Sequence, residues 1–136
     1  MLTRFVVSGR AKPKGSMRAF VPKGWKRPIV TASSTSVKEW ERDVRAVAQN
    51  YSDAYTTGPV RVRLRFFLPR PKSLSSQATR AHTKRPDVDK LSRAVLDALT
   101  GVLWADDSQV CSLTCRKSYA IANQAPHVEV SINSYD

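Results

Sequence analysis

Acidic residues are scarce in this 136-residue sequence, which has 11 Asp or Glu against 23 Lys or Arg and a formal net charge of +12. Long apolar runs are absent: no segment approaches the roughly 20 residues that an α-helix needs to span a bilayer. The N-terminal apolar stretch covers only Phe5 to Val7, which is too short for the core of a signal peptide. We therefore expect a cytoplasmic protein without a membrane partner.

Cysteine is nearly absent as well, since only Cys111 and Cys115 occur, within a segment predicted as a strand. In an extended chain their Cα atoms lie about 13 Å apart, beyond the roughly 7 Å that a disulfide allows. Because no further cysteine and no nearby histidine is available, the pair does not predict a zinc site either. We expect both to be small apolar residues of the core.

The positive charge is unevenly distributed along the chain. Residues 1–85 contain 19 Lys or Arg and 4 Asp or Glu, whereas residues 86–136 contain 4 and 7. A strongly basic surface attracts polyanions, because binding releases counterions from a phosphate backbone. Nucleic acid is therefore the first partner to consider, and the alternative is a basic surface that is simply solvated.

Hydrophobic periodicity predicts one domain over residues 1–136, built from six strands and two helices. No repeat or second domain is visible in the pattern. The predicted strands are Leu2–Ser8, Arg18–Val21, Ile29–Thr31, Pro59–Leu68, Gln109–Ala120 and His127–Asn133, and the predicted helices are Ser36–Tyr51 and about Val88–Thr100.

Two segments, residues 9–18 and residues 69–86, are both basic and rich in turn-forming residues. The second is long for a loop inside a compact domain, which is typical of a loop that binds a partner or is disordered, and we predict a mobile basic loop. We expect nucleic-acid contacts from Lys12, Lys14 and Arg18 in the first segment and from Lys84 and Arg85 in the second.

The strand Pro59–Leu68 alternates strictly between apolar and basic residues, PVRVRLRFFL. Side chains of a strand alternate between its two faces, so Arg61, Arg63 and Arg65 share the face opposite the aliphatic residues. This face is either the ordinary solvated side of a sheet or a row of arginines that contacts phosphates.

The few carboxylates are concentrated in one place, because five of them lie between Arg85 and Asp107: Asp87, Asp89, Asp97, Asp106 and Asp107. If the start of this run is extended, its first two aspartates point the same way and repel each other unless a cation lies between them. A reversal over Gly101–Ala105 can bring one of the last two back beside them, and convergent carboxylates suit Mg²⁺. The alternative is structural, with Asp89 as a helix cap and Asp106–Asp107 as a turn pair.

Asp89, Arg93 and Asp97 are spaced four residues apart and lie on one side of the second predicted helix. Arg93 can therefore either reach the metal cluster and stabilise charge in a transition state, or belong to a ladder of weak surface ion pairs. Asp97 lies one turn further along, which favours a structural role over metal binding.

The segment RPDVDKLSRAVLDALTGVLWADDSQV, Arg85 to Val110, resembles the signature of the RusA-type Holliday junction resolvases. Shared features are a D-x-D pair, a basic residue four positions after its second aspartate, a D-A-L and a D-D-x-Q-V ending. The stretch VVSGRAKPKGSMR also resembles the early strand and basic loop of that family. The likeness extends over most of the chain, and its specific part is Arg85–Val110.

The resemblance implies a homodimeric, Mg²⁺-dependent endonuclease that cuts four-way DNA junctions by paired symmetric nicks. Mn²⁺ is expected to substitute, no small-molecule cofactor is expected, and members of the family are common in bacteria and phages. The implied fold is α+β, a small mixed sheet with two main helices packed on it. Two other functions stay open, a non-catalytic nucleic-acid-binding protein and a branched-DNA or flap nuclease with looser specificity.

Carried over by position, Asp87, Asp89 and Asp107 match the metal-binding, catalytic carboxylates of the family, with Asp106 as a further metal-ligand candidate. Arg93 stands where the family can have a catalytic lysine. Arginine keeps the charge and can bind a phosphate in a bidentate manner, but it does not readily donate a proton, so we expect phosphate binding rather than general acid catalysis. Lys90 stands where the family often has asparagine and adds a candidate phosphate contact.

Overall fold

The fold is α+β, as the resemblance implies, and is built around one mixed sheet. The computed structural model describes residues 2–15, 17–20, 23–24, 29–32, 36–52, 54–74, 81–121 and 123–135, with the side chains of 17–20 and 29–32 excepted. In chain order the elements are β1 (Leu2–Ser8), β2 (Met17–Phe20), β3 (Ile29–Ala32), α1 (Ser36–Ala48), a 3₁₀ turn (Gln49–Tyr51), β4 (Val60–Leu68), α2 (Val88–Leu99), a second 3₁₀ turn (Asp107–Gln109), β5 (Val110–Tyr119) and β6 (His127–Ser134).

The main sheet has the strand order β1-β6-β4-β5. Strand β6 pairs antiparallel with both β1 and β4, whereas β4 and β5 are parallel. Strands β2 and β3 form a separate antiparallel pair. The parallel connection from β4 to β5 contains α2, as a crossover between parallel strands requires.

One face of the sheet carries the hydrophobic core. The aliphatic residues of β4 are buried while its arginines are exposed, which confirms the predicted alternation. Each helix buries its apolar face in the same core. Val44 of α1 and Leu91 and Val95 of α2 are examples, since all three are 0% exposed. The helices therefore cover one side of the sheet, and the arginines of β4 lie on the other.

The described ends of the predicted basic loop, residues 69–74 and 81–86, are anchored to the sheet. Ala81 forms a bridge with Ser118 of β5. Lys117 donates hydrogen bonds to the carbonyl oxygens of Lys84 and Pro86, at 2.6 and 2.8 Å. Residues 75–80 lie outside the described part of the chain, so the predicted mobility of the loop stays a prediction.

Two details differ from the sequence-based expectations. The α-helix that was expected to reach Tyr51 ends at Ala48 and continues as a 3₁₀ turn. Cys111 is exposed rather than buried in the core, because the register between β4 and β5 shifts by one residue there and leaves Cys111 unpaired with β4. Cys115 is half-buried and packs against the core, and both thiols are free.

Among the helices that the structure describes, none combines the length and the apolar composition that crossing a bilayer demands.

Candidate active site

A groove of about 860 Å³ lies beside α2 and contains several of the residues that the sequence singled out. Its walls come from α2, the start of α1 and the loop after β1, and its floor includes Leu113 and Cys115 of β5. Asp89, Arg93 and Asp107 all line it. The reversal after α2 therefore brings Asp107 back to the same groove as Asp89, although the prediction had included Asp87 as well.

Asp87 and Asp89 face different cavities. Asp87 occupies the N-cap position of α2 in an extended conformation, but its side chain makes no capping hydrogen bond. The helix begins at Val88, so Asp89 is already in the first helical turn and the two side chains do not share the face of an extended segment. The alternative interpretation of Asp89 as the helix cap is also wrong. Asp87 is left as a carboxylate with 57% of its side chain exposed.

Asp87 lines a second cavity of about 550 Å³, which is otherwise basic. The cavity shares Lys14, Gly15 and Lys90 with the groove, so the two adjoin. Lys90 Nζ lies 3.8 Å from Asp87 Oδ2, which is a loose, exposed pair. Other basic residues of this cavity are Arg10, Lys12 and Arg85. Four predicted phosphate contacts, Lys12, Lys14, Arg85 and Lys90, are thus gathered around one concave, positively charged surface.

The two adjacent aspartates after α2 have different environments. Asp106 caps the second 3₁₀ turn, because its Oδ1 accepts a hydrogen bond from the Ser108 backbone N–H at 2.9 Å, and this bond holds the pKa of Asp106 below its usual value. Gln109 completes the capping box by accepting from the Asp106 N–H at 3.0 Å. The turn interpretation therefore holds for Asp106, and its metal-binding role stays a prediction.

The carboxylate of Asp107 is held by a short relay of hydrogen bonds. The indole N–H of Trp104, a residue only 2% exposed, donates to Thr100 Oγ1 at 2.9 Å. Thr100 Oγ1 lies within hydrogen-bond distance of both the Leu96 carbonyl and the Asp107 carboxylate. Because an ionised carboxylate is a stronger acceptor than a backbone carbonyl, we assign the single hydroxyl proton to the bond with Asp107.

The ladder of ion pairs on α2, which was one of the two alternatives for Arg93, does not form among the residues that the structure describes. Asp97 instead pairs with Lys14, at 3.2 Å, and Lys14 also lies 2.9 Å from Glu41 of α1. Glu41 is only 7% exposed, and its hydrogen bond raises the pKa of Lys14 against the opposing effect of burial, with smaller contributions from the hydrogen bond to Asp97 and from the charges of both carboxylates. Arg93 is left exposed at the groove without a carboxylate partner in the described part of the chain.

The donor set of the groove fits Mg²⁺ better than a cation that needs a closed protein cage. Within the described residues, no three His, Cys, Asp or Glu side chains are grouped closely enough to hold a metal ion. Mg²⁺ keeps several waters and commonly binds one or two carboxylates together with phosphate oxygens. Asp89 and Asp107 are exposed carboxylates that line one groove, and they are the residues that could hold such an ion, whereas the predicted convergence of three carboxylates is not found among the described residues.

The remaining candidate residues lie away from the groove. Lys84 is exposed on the segment before α2, and Arg61, Arg63 and Arg65 lie on the uncovered face of the sheet. The side chain of Arg18 lies outside the described part of the structure.

Sequence patterns did not reveal several residues that organise the site: Arg10, Glu41, Thr100, Trp104 and Lys117. Arg10 only lines the basic cavity, whereas the other four act through contacts that form in the folded chain, such as Glu41 with Lys14, 27 residues apart. Thr100 had only one signal, its position directly before the Gly101 stop and seven residues before Asp107. Because α2 ends at Leu99, helical periodicity does not relate these two residues.

Comparison with known proteins places the chain among nucleases. The family described as Endodeoxyribonuclease RusA matches residues 11–133, most of the chain. The Bacillus subtilis (strain 168) protein YqaN, described as uncharacterized, is 30% identical over 138 residues, which cover 95% of this chain and 94% of that protein. The family match includes both the basic loop before β2 and the acidic segment of the groove.

Proposed function

Because the chain belongs to the RusA endodeoxyribonuclease family, we propose that it resolves four-way DNA junctions by paired symmetric nicks, as a homodimer that depends on Mg²⁺. The observation that supports this most is that Asp89, Arg93 and Asp107 line one groove, which adjoins a basic cavity containing Asp87. The acidic run in a basic protein then has an explanation: basic residues hold the phosphate backbone, and carboxylates hold the cation used to cut it.

Asp89 and Asp107 would hold the divalent cation, with Asp87 available from the adjoining cavity. When bound, Mg²⁺ or Mn²⁺ supplies Lewis-acid activation of the attacking water and neutralises charge on the phosphate. Arg93 binds an oxygen of the scissile phosphate and stabilises the charge that builds up there, a role for which its fixed positive charge is suited. The hydroxyl of Thr100 keeps the Asp107 carboxylate in one orientation.

The basic cavity positions the DNA beside these groups. Arg10, Lys12 and Arg85 line the same cavity as Asp87, and phosphate contacts of this type fix the register of a protein on its substrate without reading sequence. A symmetric dimer presents two equivalent sites, which suits a junction in which two cuts must be paired. We place this activity in the cytoplasm, where recombining DNA is accessible.

The proposal is tested with a labelled synthetic four-way junction and a linear duplex of the same sequence. Each is incubated with the protein in Mg²⁺ and in EDTA, and the cut positions on all four strands are mapped. We expect symmetric nicks in the junction only, and only with the metal. Asp87→Asn and Asp89→Asn should bind the junction without cutting it, whereas Asp43→Asn, an exposed aspartate on α1 away from both cavities, should cut like the wild type.

Each other outcome contradicts the proposal in a distinct way. Binding without cleavage by the wild type would indicate a non-catalytic DNA-binding protein, and equal cutting of the linear duplex would indicate a less specific nuclease. Unpaired nicks on one strand would contradict the dimeric mechanism. Full activity of both aspartate variants would show that the chemistry lies elsewhere in the chain.

A further inference from the structure

The uncovered face of the main sheet carries more arginines than β4 alone provides. Arg61, Arg63 and Arg65 alternate with buried aliphatic residues on β4 and are all exposed. The helices and the core occupy the other side of the sheet, and the groove lies on that side with Leu113 and Cys115 of β5 in its floor, so the sheet itself separates this face from the groove. None of these three arginines lines the groove or the basic cavity.

The strand register adds one arginine on each side of β4. Arg65 is opposite Arg116 of β5, and Arg63 is opposite Ser131 of β6, which is in turn opposite Arg4 of β1. Both added arginines are exposed. The face therefore carries five arginines on three of its four strands, and they are brought together by pairing that no local sequence pattern reveals.

The negative charge on this face is too small to balance the arginines. Glu129 of β6 lies 3.7 Å from Arg65, and it is the one acidic residue among the described strand residues that point this way. On its other side Arg65 faces Arg116 directly, and like charges in opposed positions of neighbouring strands destabilise a sheet. An anion bound between these two arginines would remove that repulsion.

The dimensions and the polar groups of the face suit a nucleic-acid duplex. Arg4 and Arg116 lie on the outer strands β1 and β5, three strand spacings or about 14 Å apart across the sheet and two residues or about 7 Å apart along the strands. This span is of the same order as the roughly 12 Å width of the DNA major groove. Thr114, which is exposed, and Ser131, which is half-buried, lie opposite Arg63 from either side and offer hydroxyl donors for phosphate oxygens.

We propose that this arginine face, defined by Arg4, Arg61, Arg63, Arg65 and Arg116, is a second DNA-binding surface that contacts the phosphate backbone of a duplex segment. It lies on the opposite side of the sheet from the groove. One straight duplex cannot lie against both sides of the sheet, so the face and the groove contact different duplex segments, such as separate arms of a branched DNA. The binding claim itself does not require that the protein cuts DNA.

The test compares two double variants that lose the same charge. Arg63→Gln with Arg116→Gln removes two positive charges from the arginine face, and Arg42→Gln with Lys23→Gln removes two exposed charges elsewhere. Binding of the full chain to a fluorescent four-way junction is measured by anisotropy in EDTA, between 50 and 300 mM salt. EDTA prevents metal-dependent cutting, so the result is independent of whether the proposed nuclease function holds.

We expect the arginine-face variant to bind the junction roughly tenfold or more weakly at 100 mM salt, with the slope of log K against log salt reduced by about 2. The control variant should change the slope by less than about 0.5, because distant charges are screened beyond about 10 Å. Equal losses in the two variants, or no loss in either, would overturn the proposal. A change of oligomeric state in light scattering of the arginine-face variant alone would do so too, since the face would then be a subunit interface.

Discussion

Thr100 donates a hydrogen bond from its hydroxyl group to the carboxylate of Asp107, and this bond ties the end of α2 to the turn that follows it. Trp104 supports the same hydroxyl from the core side, at 2.9 Å. The carboxylate predicted to hold a metal is thus oriented by a residue that does not itself line the groove. Partners that orient a metal ligand in this way commonly change metal affinity by roughly 10- to 100-fold.

Replacing Thr100 by Val should weaken metal binding by about that factor, because the isosteric side chain cannot donate to Asp107. The free energy of unfolding should also fall, by about 1–3 kcal/mol, since the buried Trp104 N–H loses its acceptor. Mn²⁺ binding to the purified protein, followed by electron paramagnetic resonance, measures the first effect, and urea denaturation measures the second.

Thr100→Ser is the matched control, since it keeps the hydroxyl. It should restore Mn²⁺ affinity to within about threefold of the wild type while removing only a methyl group. If Thr100→Val loses stability but binds Mn²⁺ as tightly as Thr100→Ser, then Thr100 supports the fold and does not position Asp107.

Arg93 should act through its positive charge at the groove. Because no carboxylate of the described residues pairs with it, Arg93→Gln removes a charge that is available to the phosphate, and the cleavage rate at saturating junction should fall roughly 100-fold or more. Arg93→Lys should keep or raise the rate, since lysine retains the charge and can in addition donate a proton. Single-turnover cleavage assays separate this rate from binding.

A loss in Arg93→Lys as large as in Arg93→Gln, with unchanged unfolding curves, would instead show that the planar guanidinium is required. Arg42→Gln, an exposed arginine of α1, controls for the loss of charge as such and should leave the rate unchanged. A similar fall in that control would indicate a general electrostatic effect on the protein rather than a specific contact.

Features that depend on local sequence patterns were predicted more accurately than features that depend on contacts between distant parts of the chain. The alternation of β4 and the apolar stripe of α2 are local patterns, and both faces were predicted correctly because burial of one face determines them. The exposure of Cys111 was missed, since it results from a register shift between two strands about 50 residues apart. The extended conformation considered for Asp87–Asp89 failed because the helix begins one residue earlier than that geometry requires.

The sequence indicated which residues line the candidate site more completely than it indicated which of them contact one another. Asp89, Arg93 and Asp107 lie on one groove as expected, because a helix followed by a tight reversal returns the chain to its own side. The pairing of Asp97 with Lys14 could not be predicted, since Lys14 reaches α2 from the loop after β1. The same holds for the arginine face, whose outer members come from strands that become neighbours only in the folded sheet.

Lys14 should stabilise the packing of the first loop against both helices. Its ammonium group pairs with the buried carboxylate of Glu41, so Lys14→Met should lower the free energy of unfolding by about 1–3 kcal/mol. This loss is smaller than that for breaking a fully buried pair, because Lys14 is partly exposed. Lys12→Met, on the same loop, should cost less than about 0.5 kcal/mol. Equal costs for the two variants would show that the ion pairs of Lys14 contribute little.

The contribution of Lys14 should also depend on pH in a defined direction. Its pKa is raised above 10.5, chiefly by the hydrogen bond to Glu41, so the folded state retains the proton to higher pH than the unfolded state. The stabilisation is therefore fully present below pH 10.5 and is lost as the pH rises through the pKa of the folded state. The difference in stability between the wild type and Lys14→Met should be constant from pH 7 to 10 and shrink above that range.

His82 should reduce the stability of the protein in mild acid. Its ring lies against Tyr119, with centroids 4.6 Å apart, and burial, followed by the charge of Lys117, lowers its pKa below 6.5. The unfolded state then binds a proton more readily than the folded state, so stability is full above pH 6.5 and is lost as the pH falls through the folded-state pKa. Lys117 also holds the carbonyls of Lys84 and Pro86, so a charged His82 would repel the group that anchors the segment leading to Asp87.

Replacing His82 by Phe should therefore remove part of the pH dependence while keeping a ring beside Tyr119. Between pH 7.5 and 5.5 the wild type should lose more free energy of unfolding than His82→Phe, as measured by urea denaturation at each pH. The second histidine, His127, is present in both proteins and cancels in the comparison. If the two proteins lose the same amount, the proton taken up in acid does not go to His82, and the contact with Lys117 has no effect on stability in that range.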